Sequence, residues 1–372
     1  MNIIGVVTDD IGACEVYRTV YPFKALDAAG HKVDVLRASQ FWKLLQDNKY
    51  PWKNADIITF QRLILGKDEK QANFSEPALM TREAGVCVVV DYDDDYTNAH
   101  RIVHTGTMPD LHDFSGVTVS TPHLKEVMIP YSSRVDVLNN AVNFDILAPF
   151  KRVEYLDGKT VIGLTGSATH REDWKIVIEP LLAVTKEHPD VVVFISGYFP
   201  EELVGVPGFI GLKDIDPTIK AETNNFFVPI HEYGAILAQI DILLCPVDPS
   251  DKFNWSKSGL KAMEGQASRR DINGANGGCA VIATGDLPIY RDVIRHGSTG
   301  FLTNHNSQKE WYDYIKVLVN SIQLRNNFQV AGYNSARKLF DVSSKRSIDR
   351  RVSVYENIIA GDRKARAARK YR

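Results

Sequence analysis

The feature that most restricts how this chain can fold is a series of short apolar runs. Each is closed by a glycine or small polar residues and is separated from the next by room for a helix. The runs fall at 2–7, 33–36, 56–60, 86–90, 117–119 and 135–138, then at 161–165, 191–196, 226–228, 241–244 and 280–283. Runs that do not alternate with polar residues belong to strands buried on both faces, the condition of a parallel sheet covered by crossover helices. At 372 residues the chain is too long for one such core. It is expected to be an α/β protein with two doubly wound, Rossmann-like domains. The sequence places them at 1–145 and 146–345, leaving 346–372 as a C-terminal helix and tail.

Composition adds exclusions. Lysine and arginine total 44 against 46 acidic residues, a net charge of -2 that gives no global attraction to nucleic acid or to an anionic membrane. No apolar run approaches the roughly 20 residues of a spanning helix. Met1 leads directly into a strand, so a cytoplasmic protein is expected. Cys14, Cys87, Cys245 and Cys279 show neither metal-ligand nor disulfide spacing and read as buried free thiols.

Open parallel sheets bind ligands beyond the carboxyl ends of their strands. In the first half those positions hold the loop with Gly12, the pair Gln61-Arg62 and the acidic run Asp91-Tyr92-Asp93-Asp94-Asp95. Arg18, one turn into the first helix, either faces a ligand or pairs with a neighbouring acid. The acidic run reads as a hard-cation site, as Asp93 or Asp94 holding sugar or acceptor hydroxyls, or as a solvated helix cap. Its spacing fits no calcium loop, and no metal is expected. In the second half, Gly166, Ser167 and His170 form a small-residue loop before a helix, able to cradle a phosphate, although Thr169 with Glu172 also makes a capping box.

The densest stretch is 252–302. A loop at 256–259 opens a helix carrying Leu260, Met263 and Glu264, and the apolar run at 280–283 follows and ends at Gly285. The unpaired amides and positive dipole at that helix start, with Ser258 and Lys257 or Lys261 nearby, make a seat for a phosphate. Glu264 stands where a carboxylate can accept hydrogen bonds from sugar hydroxyls.

This stretch resembles the donor-site core of the retaining GT-B glycosyltransferases of the Glu-x7-Glu (family 4-like) group. Gly259, Leu260, Glu264, Val281, Ile282, Ala283, Thr284, Gly297, Gly300 and Leu302 fall on that group's pattern. Ser256 stands in place of the first glutamate and Ser258 in place of the phenylalanine, as in a branch that writes the loop F-N-x-x-K-S. The opening of the chain and 137–143, with Asn140 matching, are similar to the same group.

The resemblance implies a GT-B fold, two Rossmann-like domains facing across a cleft, with the last helix crossing back to the first domain. It implies a nucleotide-diphosphate sugar, UDP-sugar first among them, as donor substrate with no further cofactor, and a saccharide as acceptor. Glu264 would take the nucleotide ribose. Gly166, Ser167, Ser256, Ser258, Gly259 and Leu260 would line the donor, and Lys257, Lys261 and His170 would meet its diphosphate. Gly12, Arg18, Asp93 and Asp94 would face acceptor or sugar, and 233–238 would lie beside the base. Sugar-nucleotide epimerases and non-catalytic nucleotide-binding proteins share such a frame and stand as the alternative class.

Two segments break the pattern. The polar insert at 266–277, with Arg269 and Arg270, is either a lid or acceptor-contacting element or a tolerated surface insertion. The end of the chain concentrates Arg363, Lys364, Arg366, Arg369, Lys370 and Arg372, either as a solvated tail or as a phosphate-binding one. Together they raise DNA bearing hydroxymethylated bases as a second acceptor class, bound through Arg269, Arg270 and the tail from Arg363 to Arg372.

Overall fold

A computed structural model describes residues 1–47, 49–63, 75–98, 109–147, 152–215, 232–268 and 270–369. The expected strand at 226–228, Arg269, Lys370 and Arg372 lie outside the described residues. The chain divides into two compact units. One comprises Met1–Ala141, Trp255–Ser258 and Val342–Arg372, and the other Val142–Asn254 and Gly259–Asp341.

The first unit is built on six parallel strands: β1 (Asn2–Val7), β2 (Lys32–Arg37), β3 (Ile57–Gln61), β4 (Val88–Tyr92), β5 (Gly116–Val119) and β6 (Val135–Val137). Their order is β2-β1-β3-β4-β5-β6. Because side chains alternate along a strand, the apolar runs feed two cores. Ile4, Val6, Ile58, Phe60, Val88 and Val90 pack on one face with Phe41 and Leu124. Ile3, Ile57 and Val89 pack on the other with Phe23 and Leu26, and with Val354, Tyr355 and Ile358 of the helix Lys345–Arg369.

The second unit holds β7 (Thr160–Gly166), β8 (Val191–Gly197), β9 (Phe209–Gly211) and β10 (Ile242–Cys245), then the hairpin β11 (Arg270–Ile272) and β12 (Ala275–Gly277), then β13 (Ala280–Thr284) and β14 (Phe301–Thr303). Its main sheet is parallel, in the order β14-β13-β10-β7-β8-β9. Ile162, Leu164, Val193, Ile242, Leu244 and Ile282 form its core with Trp174, Val177 and Leu181 of the helix Arg171–Glu187 and with Trp311, Ile315 and Leu318 of the helix Gln308–Asn320. In strand order the first sheet reverses between β1 and β3 and the second between β7 and β10. Those are the points where open sheets form ligand crevices.

Several expectations change. β9 and the hairpin strands are not among the expected runs: β9 carries only the apolar pair Phe209-Ile210, and the hairpin strands read Arg-Asp-Ile and Ala-Asn-Gly. β4 extends to Tyr92, so Asp91 lies inside the sheet rather than past its end. The first helix is interrupted by a π segment at Val16–Val20. The insert is the β11-β12 hairpin, held to the helix Ile322–Phe340 where the Gly278 amide donates to the Gln329 carbonyl at 3.1 Å. The basic end continues the helix Lys345–Arg369, with Arg363 and Lys364 exposed on it. Among the described residues no helix is long and apolar enough to cross a membrane.

Gly163, mid-way along β7, tests the packing of the second sheet. A Cβ there would lie 2.3–2.6 Å from three carbons of the Ile240 side chain. Gly163→Ala is therefore expected to destabilise the protein by about 1–3 kcal/mol through overpacking, seen as a lowered urea midpoint with an unchanged slope.

Candidate active site

At the carboxyl end of β7 the chain turns sharply at Gly166, whose φ is +155°. A side chain would not fit there: a Cβ would lie 2.7 Å from His170 Cδ2 and 3.0 Å from Lys261 Nζ. The glycine thus lets an imidazole and an ammonium close on one point of backbone. Lys261 comes from the first turn of the helix Leu260–Ala267, and its Nζ donates to the Thr165 carbonyl. Burial pulls the Lys261 ammonium below its ordinary pKa, against the opposing pull of Cys245, Asp173 and Glu264.

Asp173, fully buried, locks the surrounding loops. Its Oδ2 pairs with His170 Nδ1 at 2.9 Å, and its Oδ1 accepts from the Asp248 amide at 2.9 Å and from Asn254 Nδ2 at 3.1 Å. The helix start is as tightly set, because a Cβ on Gly259 would lie 2.5 Å from the Ile289 carbonyl oxygen. Glu264, 7% exposed, lies one turn beyond Lys261. Burial first, and Glu264 second, push the Tyr233 phenol well above its ordinary pKa, and that hydroxyl shares a 2.8 Å hydrogen bond with Thr165 Oγ1. Ser167 sits at the same loop, bonded to Thr169 Oγ1 at 2.7 Å.

The carboxyl edge of the first sheet gathers a different set. The exposed Gly12 amide donates to Glu15 Oε2 at 2.9 Å. Arg62, in the left-handed region at φ 57°, lies 3.6 Å from Glu15 Oε1 and places Nε 3.3 Å from Asp93 Oδ1. Cys14, Asp93 and Asp94 bring a sulfur and two carboxylate oxygens within 4.8 Å of one another, with the Arg62 guanidinium as counter-charge. Burial raises both carboxyls, but for Asp93 the Arg62 guanidinium and the Cys14 thiol outweigh it and hold the group ionised. Asp94 is pushed up to about 6, by burial and then by Asp93, with Lys257 and Arg62 acting against the rise. The balance of burial and neighbouring charge thus moves the two carboxyls in opposite directions.

Some expected site residues are elsewhere. Arg18 does not face a ligand; it is 1% exposed. Its guanidinium forms a forked pair with Asp91 at 2.7 and 2.8 Å and donates to the Leu138 carbonyl at 2.5 Å and Asn140 Oδ1 at 2.8 Å. Ser256 is fully buried, and its carbonyl accepts from Thr121 Oγ1 at 3.0 Å, which leaves it no surface toward a ligand. The two lysines part company: Lys261 belongs to the second unit, and Lys257 lies in Trp255–Ser258, grouped with the first. Ser258 Oγ accepts from Asn140 Nδ2 at 2.8 Å. Arg270 is no phosphate contact either; its guanidinium is held by Asp241 at 2.9 Å and by the Leu237 carbonyl at 2.9 Å. Glu15, Cys14 and Asn254 were not legible as site neighbours, whereas Asp173, three residues after His170 in a helix, carried the i,i+3 signal that pairs them.

Solved structures match 95–97% of the chain. Sucrose-phosphate synthase from Thermosynechococcus elongatus is similar over 97% of this chain and 100% of its own, with a TM-score of 0.63 and 13% identity. A glycosyltransferase from Rickettsia africae matches over 96% and 98%, with a TM-score of 0.63 and 14% identity. Anabaena HepE in complex with UDP-glucose matches over 95% and 100%, with a TM-score of 0.61 and 13% identity. The fold is that of the GT-B glycosyltransferases. At these identities the likeness is one of fold. No protein-family model matches the sequence, and no curated protein matches it.

Two outcomes test this geometry. Arg18→Met leaves Asp91 buried and uncompensated, so a loss of about 3–5 kcal/mol in denaturant unfolding is expected; a loss below 1 kcal/mol would show the pair to be dispensable. For Asp94, the folded state holds the proton to a higher pH than the unfolded chain does. Its contribution to stability is therefore present at low pH and is lost as pH rises from the ordinary carboxylate range through about 6. The stability difference between wild type and Asp94→Asn should shift in the variant's favour across that window and stay constant above it, measured by urea midpoints at stepped pH.

Proposed function

We propose that this protein transfers a sugar from a nucleotide-diphosphate sugar to an acceptor hydroxyl with retention of anomeric configuration. The observation that carries this reading is the convergence of His170 and Lys261 on Gly166 at the reversal point of the second sheet, with buried Glu264 one turn further along the helix. A cation and an imidazole at a glycine turn suit a diphosphate, and a carboxylate one helical turn away suits a ribose. The fold supports it, and HepE, similar over its full length, is known in complex with UDP-glucose. UDP-sugar is accordingly the first donor class to test.

In this reading the second unit holds the donor. Glu264 accepts hydrogen bonds from the ribose hydroxyls, and Gly166, Ser167 and the amides of Gly259 and Leu260 border the diphosphate. The bond from the anomeric carbon to the diphosphate breaks while a bond to the acceptor oxygen forms on the same face, and the acceptor's proton passes to the departing phosphate oxygen. Charge building on that leaving group is met by Lys261 and His170 and by preorganised amides, so transition-state stabilisation is mostly electrostatic. No cofactor beyond the donor is invoked. Gly12, Asp93 and Asp94 supply the acceptor side, where a saccharide hydroxyl suits paired carboxylates. DNA as acceptor has lost Arg270, which is tied to Asp241.

A panel of nucleotide sugars decides between transfer and the alternative class. Slow release of free nucleotide without acceptor, accelerated by a saccharide acceptor, is expected; tight nucleotide binding without any turnover would leave a binding module, and interconversion of the sugar an epimerase. Glu264→Gln should weaken nucleotide affinity by about 1–3 kcal/mol in calorimetry, and unchanged affinity would remove Glu264 from the site. Lys261→Ala should cost far more turnover than folding stability.

A further inference from the structure

A cavity of about 870 Å³ opens in the first unit at the amino ends of β3 and β4, the edge opposite the loops that carry Gly12, Arg62 and Asp94. Its floor is apolar, from Val86, Cys87 and Ile359. Tyr50 and Met80, 41% and 43% exposed, stand on its wall. The volume is in the range of small-molecule sites. Nothing in the proposed transfer reaction uses it.

Two carboxylates, Asp56 and Asp362, and three cations, Lys53, Arg363 and Arg366, line this cavity. Asp362, 4% exposed, is satisfied by Arg82 at 2.8 Å, by Ser115 Oγ at 3.1 Å and by Arg366. Asp56 accepts the Asn2 amide at 2.9 Å. The cations are less well served. Arg363 is 72% exposed and lies no nearer than 3.7 Å to Asp56. Lys53 is exposed and has no ion pair among the described residues. Arg366 rests against Gly85, where a Cβ would lie 3.2 Å from its Nη1, and its Nε is buried without a hydrogen-bond partner among the described residues. A buried donor left unmatched is costly, and the side chain that carries it is 29% exposed, open to an anionic oxygen. Arginines near the end of a helix can also serve that helix's own dipole. That role accounts for neither the unmatched buried Nε nor the apolar floor.

We infer that this cavity binds an amphipathic anion, a phosphate- or carboxylate-headed molecule whose apolar body lies on Val86, Cys87 and Ile359 and whose head meets Lys53, Arg363 and Arg366. That chemistry is offered both by a free molecule and by the anionic lipid of a bilayer. The site stands apart from the donor reading, so either can fail without the other.

Dodecyl phosphate below its micellar concentration, titrated calorimetrically into the full chain, tests the cavity. One-to-one binding is expected, weakened about tenfold or more in the double variant Lys53→Glu/Arg363→Glu and by a similar factor when dodecanol replaces the phosphate. Both substituted residues are exposed, and an unchanged urea midpoint checks that the variant is folded. Co-sedimentation with phosphatidylglycerol against phosphatidylcholine vesicles separates the sources. Capture by the anionic vesicles that the double variant loses assigns the bilayer, and calorimetric binding without capture assigns a free molecule. Absence of both, or binding that the double variant leaves unchanged, overturns the inference.

Discussion

The interaction on which the first unit depends is the buried pair between Arg18 and Asp91. An always-charged guanidinium is tolerable in an interior only when every strong donor is answered. Here the forked pair to Asp91, the Leu138 carbonyl and Asn140 answer it, and Thr118 Oγ1 adds a 2.5 Å hydrogen bond to Asp91. The pair therefore ties the first helix to β4, β5 and the chain leaving β6. Asn140 then uses its amide on Ser258. The loop that carries Lys257 is thus located by hydrogen bonds that begin at a buried ion pair.

The second unit uses the same device with other residues. Its sheet is held by apolar packing, but the loops at its carboxyl edge are held by Asp173, which gathers His170, Asp248 and Asn254. In both units apolar residues set where strands run, while one buried carboxylate sets where loops after those strands end. That separation allows chemistry to change at the edge without disturbing the core beneath it.

The apolar runs were readable because strands buried on both faces carry no alternation to obscure them. The helix with Glu264 and the glycine turn at Gly166 were readable from local pattern too. What escaped was long-range. Arg18 stays open between a ligand contact and an ion pair until its partner, 73 residues away in sequence, is known to lie beside it. Lys257 and Lys261 are four apart, the spacing of one helical face, yet the helix begins only at Leu260, so spacing does not apply to Lys257. Arg270 looked like a free surface charge because Asp241, its partner, lies 29 residues earlier, just before β10. Ser256, in the place of the family's first glutamate, gave no local sign of complete burial.

The composition of the first unit bears on how the protein is made. One face of its sheet, with Ile3, Phe23, Ile57 and Val89, is covered by Val354, Tyr355 and Ile358. Those residues are synthesised only after the whole of the second unit. During translation the earlier half thus carries a bare apolar sheet face while its neighbour can already be complete, a state that invites wrong pairing. Folding in order of synthesis would leave the first unit the last to close.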